Sequence, residues 1–218
     1  ISDYGLIKDC PPELLANSRN ELSESISQEL NALGHILRPP AYLGAPNDVV
    51  DSFEVQTDEL TLADLIRIRL LLDMINHDNG YIAGLTAKTY SNSEVGGLCE
   101  LDNGQAHLIE YPPASAQSNH LYLESSYTRQ KAATALARWH VHDQRPEANP
   151  DGHNLAGPGL DDIEFARVMC GNILIITILN QTEDSIQINF DLLTPQTKLI
   201  DLGTINQLSV INDQLSVT

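Results

Sequence analysis

The sequence predicts an α+β fold, in which a helical first part precedes a mostly antiparallel set of strands. Apolar residues recur at helical spacing as far as residue 75. From about Tyr81 onward they alternate with polar residues, and the alternating runs are separated by turn sequences. Helices followed by antiparallel strands are typical of the α+β class. We therefore expect a mixed, mostly antiparallel sheet flanked by helices, with a helical extension at the N-terminus.

Two long helices are predicted in the first part of the chain. The second begins at Thr61, a good N-cap with Asp64 three residues later, and it ends before Gly80. Apolar residues cover most of its circumference, so we expect it to be buried on more than one side. The first helix spans residues 11–37, with leucine and isoleucine at helical spacings: Leu15, Leu22, Ile26, Leu30, Leu33 and Leu37.

The second part of the chain predicts strands with one short helix among them. An Asn-Gly turn at 103–104 joins two alternating runs into a hairpin, because this dipeptide favours tight turns. The run 129–143 is ambiguous, because its alanines favour a helix whereas the alternation at Trp139 and Val141 favours a strand that ends in the histidines. Trp139 is expected to face the core. The other predictions are a short strand in LYLESSY, a short helix in GLDDIEFARVMCG, and strands in NILIITILN, SIQINFDLL and KLIDLG.

The same patterns divide the chain into segments. Residues 1–57 are predicted to form the helical extension and residues 58–205 the main domain. Residues 206–218 repeat the motif Gln-Leu-Ser-Val and are expected to form a tail.

Composition narrows the class of partners. The net charge of −18, from 30 acidic and 12 basic residues, opposes binding to nucleic acid or an anionic membrane. No apolar run reaches the roughly 20 residues that a membrane-spanning helix needs. The three cysteines are widely spaced and odd in number, which indicates reduced thiols and a cytoplasmic protein. The chain starts at Ile1, which is also compatible with removal of a leader.

The sequence RWHVHD carries the clearest chemical signal. Side chains alternate along a strand, so His140 and His142 share one face. Two imidazoles so placed could bind zinc if a third ligand completed the set, and a nearby carboxylate could then act as a base. An ordinary pair of surface or hydrogen-bonded histidines is the competing interpretation of this motif alone.

RWHVHD and two further stretches of the sequence together resemble a known family. SEVGGLCELDNGQ, RWHVHD and GPGLDDIEFAR together resemble the JAB/MPN (JAMM) metalloproteases, and more closely the bacterial JAB-like domains. Glu94, followed by Gly-Gly-Leu, matches the family glutamate. His140 and His142 match the histidine pair, and Asp162 matches the aspartate at a helix start. The resemblance covers roughly residues 81–203.

This resemblance implies a cytidine-deaminase-like fold and a zinc-dependent hydrolase of peptide or isopeptide bonds. His140, His142 and Asp162 would hold Zn²⁺, and Glu94 would take a proton from the attacking water and pass it to the leaving amine. The expected partner is a protein or peptide substrate, ubiquitin-like or basic, with no role for nucleic acid or membrane. The oligomeric state is not implied.

The chain departs from the family pattern at the oxyanion position. Gly159 stands where the family has a serine that stabilises the tetrahedral oxyanion. Losing such a donor costs a factor of about 10²–10³ in rate. Ser126, Tyr127 and Asn154 are candidates for a replacement, and the sequence does not select among them.

A second departure concerns the third ligand. The loop between His142 and Asp162 is longer than the family spacing, and His153 sits where the usual spacing would place a ligand. The alternatives are therefore Asp162, which the surrounding Gly-Pro and Asp-Ile favour, His153, or Asp161 after a one-residue shift.

Two rival functions follow from the same resemblance. The first is a metal-free JAB-like scaffold or protein-binding module, which the missing serine favours. The second is a processing or toxin domain of a larger polypeptide.

Overall fold

The structure is a computed structural model. It describes residues 6, 10–32, 60–77, 82, 84, 95–111, 126–143, 156–169, 171–196 and 198–208. The described part is α+β, as predicted. Its elements are α1 (Pro12–Leu15), α2 (Arg19–Ala32), α3 (Leu62–His77), β1 (Gly96–Asp102), β2 (Gln105–Glu110), α4 (Ser126–Thr134), β3 (Ala137–Asp143), α5 (Leu160–Met169), β4 (Ile173–Gln181), β5 (Ser185–Leu193) and β6 (Leu199–Leu208).

The six strands form one sheet in the order β2-β1-β3-β4-β5-β6. Every neighbouring pair is antiparallel except β3 and β4, which run parallel. The predicted hairpin between β1 and β2 is confirmed. Its turn residues Asn103 and Gly104 have φ of 49° and 79°, and positive φ at both positions is typical of the tight hairpin turns that Asn-Gly favours.

The helix α3 forms as predicted. Thr61 Oγ1 accepts a hydrogen bond from the Asp64 N–H at 3.1 Å, and the Asp64 carboxylate accepts one from the Thr61 N–H at 3.3 Å. This reciprocal capping satisfies two N–H groups at the helix start. Most side chains of α3 are buried, which explains why its apolar residues surround the helix.

The first helix is interrupted, contrary to the prediction. The helix α1 ends at Leu15, and α2 begins at Arg19. Ser18 explains the new start, because its Oγ accepts from the Glu21 N–H at 3.3 Å while its N–H donates to Glu21 Oε2 at 2.6 Å. The predicted continuation through Leu33 and Leu37 lies outside the described residues.

The described part of the N-terminal segment shares the hydrophobic core of the sheet. The α2 side chains Leu22, Ile26 and Leu30 are buried in the same cluster as Trp139 and Phe190. Trp139 is fully buried, as predicted from the strand alternation. Polar contacts also join the two long helices: Arg69 of α3 pairs with Glu29 of α2, and Asn76 Nδ2 donates to Glu29 at 3.1 Å.

Between β2 and β3, one prediction is corrected and one open alternative is resolved. LYLESSY was predicted to be a strand, but Ser126 and Tyr127 begin α4, and the preceding residues lie outside the described ones. Helix-favouring residues from Arg129 to Ala133 explain the difference. The ambiguous run that follows resolves into helix up to Thr134 and strand from Ala137.

The last strand is longer than KLIDLG. It runs to Leu208, three residues into the segment predicted as a tail, and residues 209–218 lie outside the described part. None of the helices among the described residues combines the length and hydropathy needed to cross a bilayer.

Helices cover both faces of the sheet, and this arrangement positions the site. The Cys99 thiol on one face lies 3.6 Å from the Met74 sulfur of α3. On the opposite face, Ile163 and Ala166 of α5 pack against Ile173 and Ile175 of β4 in a separate cluster. His140 is the Cα partner of Ile175, so it lies on the face that α5 covers.

Candidate metal centre

The strand β3 and the helix α5 bring the candidate ligands together. His140 and His142 alternate with Trp139 and Val141, so both imidazoles point towards the α5 face of the sheet. Asp162 lies in the first turn of α5. The ligand atoms of the two histidines and this aspartate all lie within 4.8 Å of one another.

The distances within the cluster are short. His140 Nε2 lies 2.9 Å from His142 Nε2 and 3.1 Å from Asp162 Oδ1. His142 Nε2 lies 3.4 Å from Asp162 Oδ2. The side chains of His140, His142 and Asp162 are 6%, 21% and 16% exposed, so the cluster is mostly shielded from solvent.

These distances fit a zinc ion. Zinc binds imidazole nitrogen and carboxylate oxygen at about 2.0–2.2 Å, so two ligand atoms on a tetrahedral ion lie roughly 3.3 Å apart. The observed separations of 2.9, 3.1 and 3.4 Å bracket that value. Two nitrogens and one carboxylate, with a fourth position left over, are also the donor set of several catalytic zinc sites.

A backbone contact fixes the tautomer of His142. Its Nδ1–H donates to the Gly157 carbonyl at 3.1 Å, which leaves the Nε2 lone pair directed at the cluster. The Gly157 N–H in turn donates to Thr177 Oγ1 at 3.4 Å. Gly157 has a φ of 115°, a conformation that residues with a Cβ rarely adopt, so glycine is needed to present this carbonyl.

Asp162 is held by the start of its own helix. The Gly159 N–H donates to Asp162 Oδ2 at 2.7 Å. A carboxylate three residues after the N-cap is ordinary helix capping, and this contact alone would indicate no function. The two imidazoles on the other side of the carboxylate distinguish the site. The structure brings Asp162, rather than the exposed Asp161, to the histidines.

The environment shifts the proton affinities of the cluster. Burial, and then the charge of His140, lower the pKa of His142 to about 4, although Asp162 and the Gly157 carbonyl act in the opposite direction. Burial alone would raise the pKa of Asp162. The His140 hydrogen bond, the charges of both histidines and the Gly159 N–H together lower it below its usual value. A neutral His142 and an ionised Asp162 are the forms that bind a metal.

Other residues predicted for the site lie outside the described part of the chain. These are the candidate base Glu94, the alternative ligand His153 and the candidate donor Asn154. Ser126 and Tyr127 lie in α4, and their side chains are not described.

The chain enters β1 beside the histidine pair. Val95 accepts a hydrogen bond from the Val141 N–H at 2.9 Å, and Gly96 is the Cα partner of His140. The second glycine of the motif has a structural explanation. A Cβ on Gly97 would overlap the Ile109 carbonyl of β2, so the close approach of these strands requires glycine there.

Gly159 lies at the N-cap of α5. A Cβ at this position would meet only Asp162 Oδ2 at 3.6 Å, an ordinary contact distance. A serine therefore fits the backbone at the position where the family motif has one.

Two residues near the cluster were not predicted to belong to it. Thr177 is the Cα partner of His142 on β4 and is fully buried. Arg138 precedes His140 by two residues and faces the same side of the sheet. The alternation that singled out the histidines also places Arg138 on their face, whereas the position of Thr177 depends on the β3–β4 register.

In comparisons with known proteins, no family model, no curated protein and no solved structure matches this chain. The resemblance to the JAB/MPN family therefore rests on the motif residues themselves.

Proposed function

We propose that this chain is a zinc-dependent hydrolase of peptide or isopeptide bonds, with a JAB/MPN-like, cytidine-deaminase-like domain. One observation carries the proposal. His140 and His142 of β3 and Asp162 of α5 converge with separations that suit a tetrahedral ion. The backbone carbonyl that orients His142 supports the same function, because bound histidines usually donate their second ring N–H in this way.

The chemistry proposed for the site is addition of water to an amide. A zinc ion bound there would polarise the scissile carbonyl and lower the pKa of a water molecule towards neutrality. The water oxygen forms a bond to the carbonyl carbon, and the C–N bond breaks. One water proton passes to the departing nitrogen, so that the products are a carboxylic acid and an amine.

Glu94 is proposed as the group that transfers this proton. It is the residue before Val95, which is hydrogen-bonded to Val141 between the two histidines. A glutamate carboxylate within reach of the water could accept its proton and donate it to the leaving amine. The glutamate is not needed as a ligand, because the histidines and Asp162 already provide the donors.

The charge of the chain supports a basic protein or peptide as the substrate. A net charge of −18 attracts cationic chains and raises the rate of their encounter, most strongly at low ionic strength. A ubiquitin-like substrate is the alternative that the resemblance implies.

Hydrolysis by zinc-loaded protein tests the proposal. The protein would be stripped with chelator, reloaded with one equivalent of zinc and incubated with a mixture of basic peptides and an isopeptide-linked pair. Mass spectrometry in ¹⁸O-labelled water would detect cleavage as label in the new carboxyl group. We expect zinc-dependent cleavage that is lost in Glu94→Gln and Asp162→Asn.

Asp161→Asn is the matched control, because it removes the same charge from the adjacent, exposed residue. It should retain cleavage. Cleavage that persists in the stripped protein, or that Asp162→Asn leaves intact, would contradict the proposed mechanism. A protein that binds no zinc and cleaves none of these substrates would favour the metal-free scaffold or protein-binding function.

A further inference from the structure

Arg138 has a buried guanidinium nitrogen with no hydrogen-bond acceptor among the described residues. It lies on β3 with its side chain partly buried, and its Nη1 atom is shielded from solvent. Among the residues that the structure describes, Nη1 donates to no hydrogen-bond acceptor. Burying an Arg nitrogen without an acceptor is costly, so a ligand that supplied an acceptor to this guanidinium would gain binding energy.

The acidic composition of the chain makes the absence of a carboxylate beside Arg138 informative. The chain contains 30 acidic residues and 12 basic ones, so carboxylates are plentiful. Two other arginines have carboxylate partners: Arg67 pairs with Asp64, and Arg69 pairs with Glu29 and Asp73. Arg138 forms no such ion pair among the described residues and instead lies over an aromatic ring.

The guanidinium lies over the ring of Phe165. Its Cζ lies 4.7 Å from the centre of the Phe165 ring of α5. Stacking on a ring occupies a face of the planar guanidinium and leaves its N–H donors at the edge. Those donors form the fork that matches a carboxylate.

The same two elements place this pair next to the proposed metal centre. Arg138 precedes His140 by two residues on one face of β3, which is roughly 6–7 Å along a strand. Phe165 follows Asp162 by three residues on α5, which is about one helical turn. The Arg138–Phe165 contact is therefore adjacent to the His140–Asp162 contact between the same strand and helix.

We propose that Arg138 binds a carboxylate of the substrate close to the scissile amide. This inference rests on the proposed function and adds a substrate requirement to it. The carboxylate could be the C-terminal group of a peptide or an Asp or Glu side chain. A singly charged carboxylate suits the site better than a phosphate dianion, because the neighbouring Asp162 carboxylate repels negative charge. A peptide can meet both demands, with basic residues for the acidic surface and one carboxylate for Arg138.

Binding of short peptides to chelator-stripped protein tests the inference without any need for turnover. The probes are acetyl-Ala-Gly-Ala with a free terminal carboxylate, the same peptide as its C-terminal amide, and acetyl-Ala-Glu-Ala amide, which has only a side-chain carboxylate. Affinities would be measured by calorimetry up to millimolar concentrations. We expect wild-type protein to bind a carboxylate probe about 10- to 100-fold more tightly than the uncharged amide.

Variants attribute the preference to Arg138. Arg138→Met keeps an unbranched apolar stem against Phe165 and should abolish the preference. Arg138→Lys keeps the charge but loses the fork, so it should retain a reduced preference. Arg167→Met removes the same charge from an exposed position on α5 and should leave the preference unchanged. Thermal melts check that each variant is folded. If Arg138→Met does not fold, the reduced carboxylate preference expected of Arg138→Lys tests the inference.

The results of this experiment distinguish failure of the carboxylate inference from failure of the proposed zinc-dependent function. Equal binding of all three probes, no binding of any probe, or a preference that survives Arg138→Met in a folded protein would overturn the inference. A preference for the terminal carboxylate alone, or for the side-chain carboxylate alone, supports it and identifies the source. Zinc content is measured on the same wild-type and Arg138→Met preparations before the chelator is added, so that failure of the metal site is seen independently of carboxylate binding.

Discussion

Replacing Gly157 with alanine tests how the site is held together. The Gly157 carbonyl orients the His142 ring, and the backbone there has a φ of 115°. Alanine strongly disfavours this conformation, so Gly157→Ala must either retain the strain or rotate the peptide. The first response destabilises the protein, and the second removes the acceptor from His142 Nδ1. Both responses follow from the geometry of one residue.

The magnitudes can be worked out for each response. Retaining a residue with a Cβ in such a conformation costs about 1–3 kcal/mol of folding stability. Losing the group that orients a ligating histidine typically lowers metal affinity about 10- to 100-fold, which is about 1.4–2.8 kcal/mol. We therefore expect Gly157→Ala to lower zinc affinity by about that factor, with a moderate loss of stability in the metal-free protein.

Two assays and one control separate these effects. Zinc affinity is measured by competition with a chromophoric chelator, and stability by urea denaturation of the stripped protein. Gly203→Ala is the control, because Gly203 also has a positive φ, 96°, but lies on β6, which β4 and β5 separate from β3. It should lose stability without losing zinc affinity. Unchanged zinc affinity in a folded Gly157→Ala variant would refute the role assigned to this carbonyl.

Three further predictions concern the surroundings of the site. Thr177→Val removes the hydroxyl that accepts a hydrogen bond from the Gly157 N–H and should weaken zinc binding several-fold. Thr177→Ser keeps the hydroxyl and should leave zinc binding unchanged. Equal zinc affinities of the two variants in the same competition assay would contradict this prediction. Gly159→Ser fits the backbone and restores the hydroxyl donor of the family motif, so it should raise the rate of peptide cleavage by up to about 10²-fold. The free energy of unfolding should change by only a few tenths of a kcal/mol. An unchanged kcat would argue against an oxyanion role at this position. Burial and His140 lower the pKa of His142 from 6.5 to about 4, so the unfolded state binds more protons across that range. Stability of the metal-free protein should therefore fall by up to about 3 kcal/mol from pH 7 to pH 4, and urea denaturation should show a smaller fall for His142→Gln.

Much of the fold could be predicted because its signals are local. The capping pair Thr61 and Asp64 and the apolar surface of α3 lie within one stretch of sequence. The β1–β2 hairpin depends on an Asn-Gly turn and on alternation on either side of it. The break between α1 and α2 was missed because the apolar spacing continues through it. A capping serine at Ser18, with Glu21 three residues later, was the signal that could have revealed it.

The candidate site was only partly predictable. Alternation places His140 and His142 on one face, and the motif resemblance pointed to Asp162 at the start of a helix. The orienting carbonyl of Gly157 could not be inferred, because it depends on a positive φ and on the parallel register that sets Thr177 beside His142. The contact of Arg138 with α5 likewise depends on how the helix packs on the sheet.

Metal content tests the central claim most directly. Wild-type protein, purified without chelator or metal-affinity resin, and the variants His142→Ala, Asp162→Asn and Asp161→Asn would be analysed by plasma mass spectrometry. We predict near-stoichiometric zinc in the wild type and in Asp161→Asn, and its loss in His142→Ala and Asp162→Asn. Absence of metal from the wild type even after soaking with zinc, or equal zinc in all four proteins, would contradict the claim that His140, His142 and Asp162 form a zinc site.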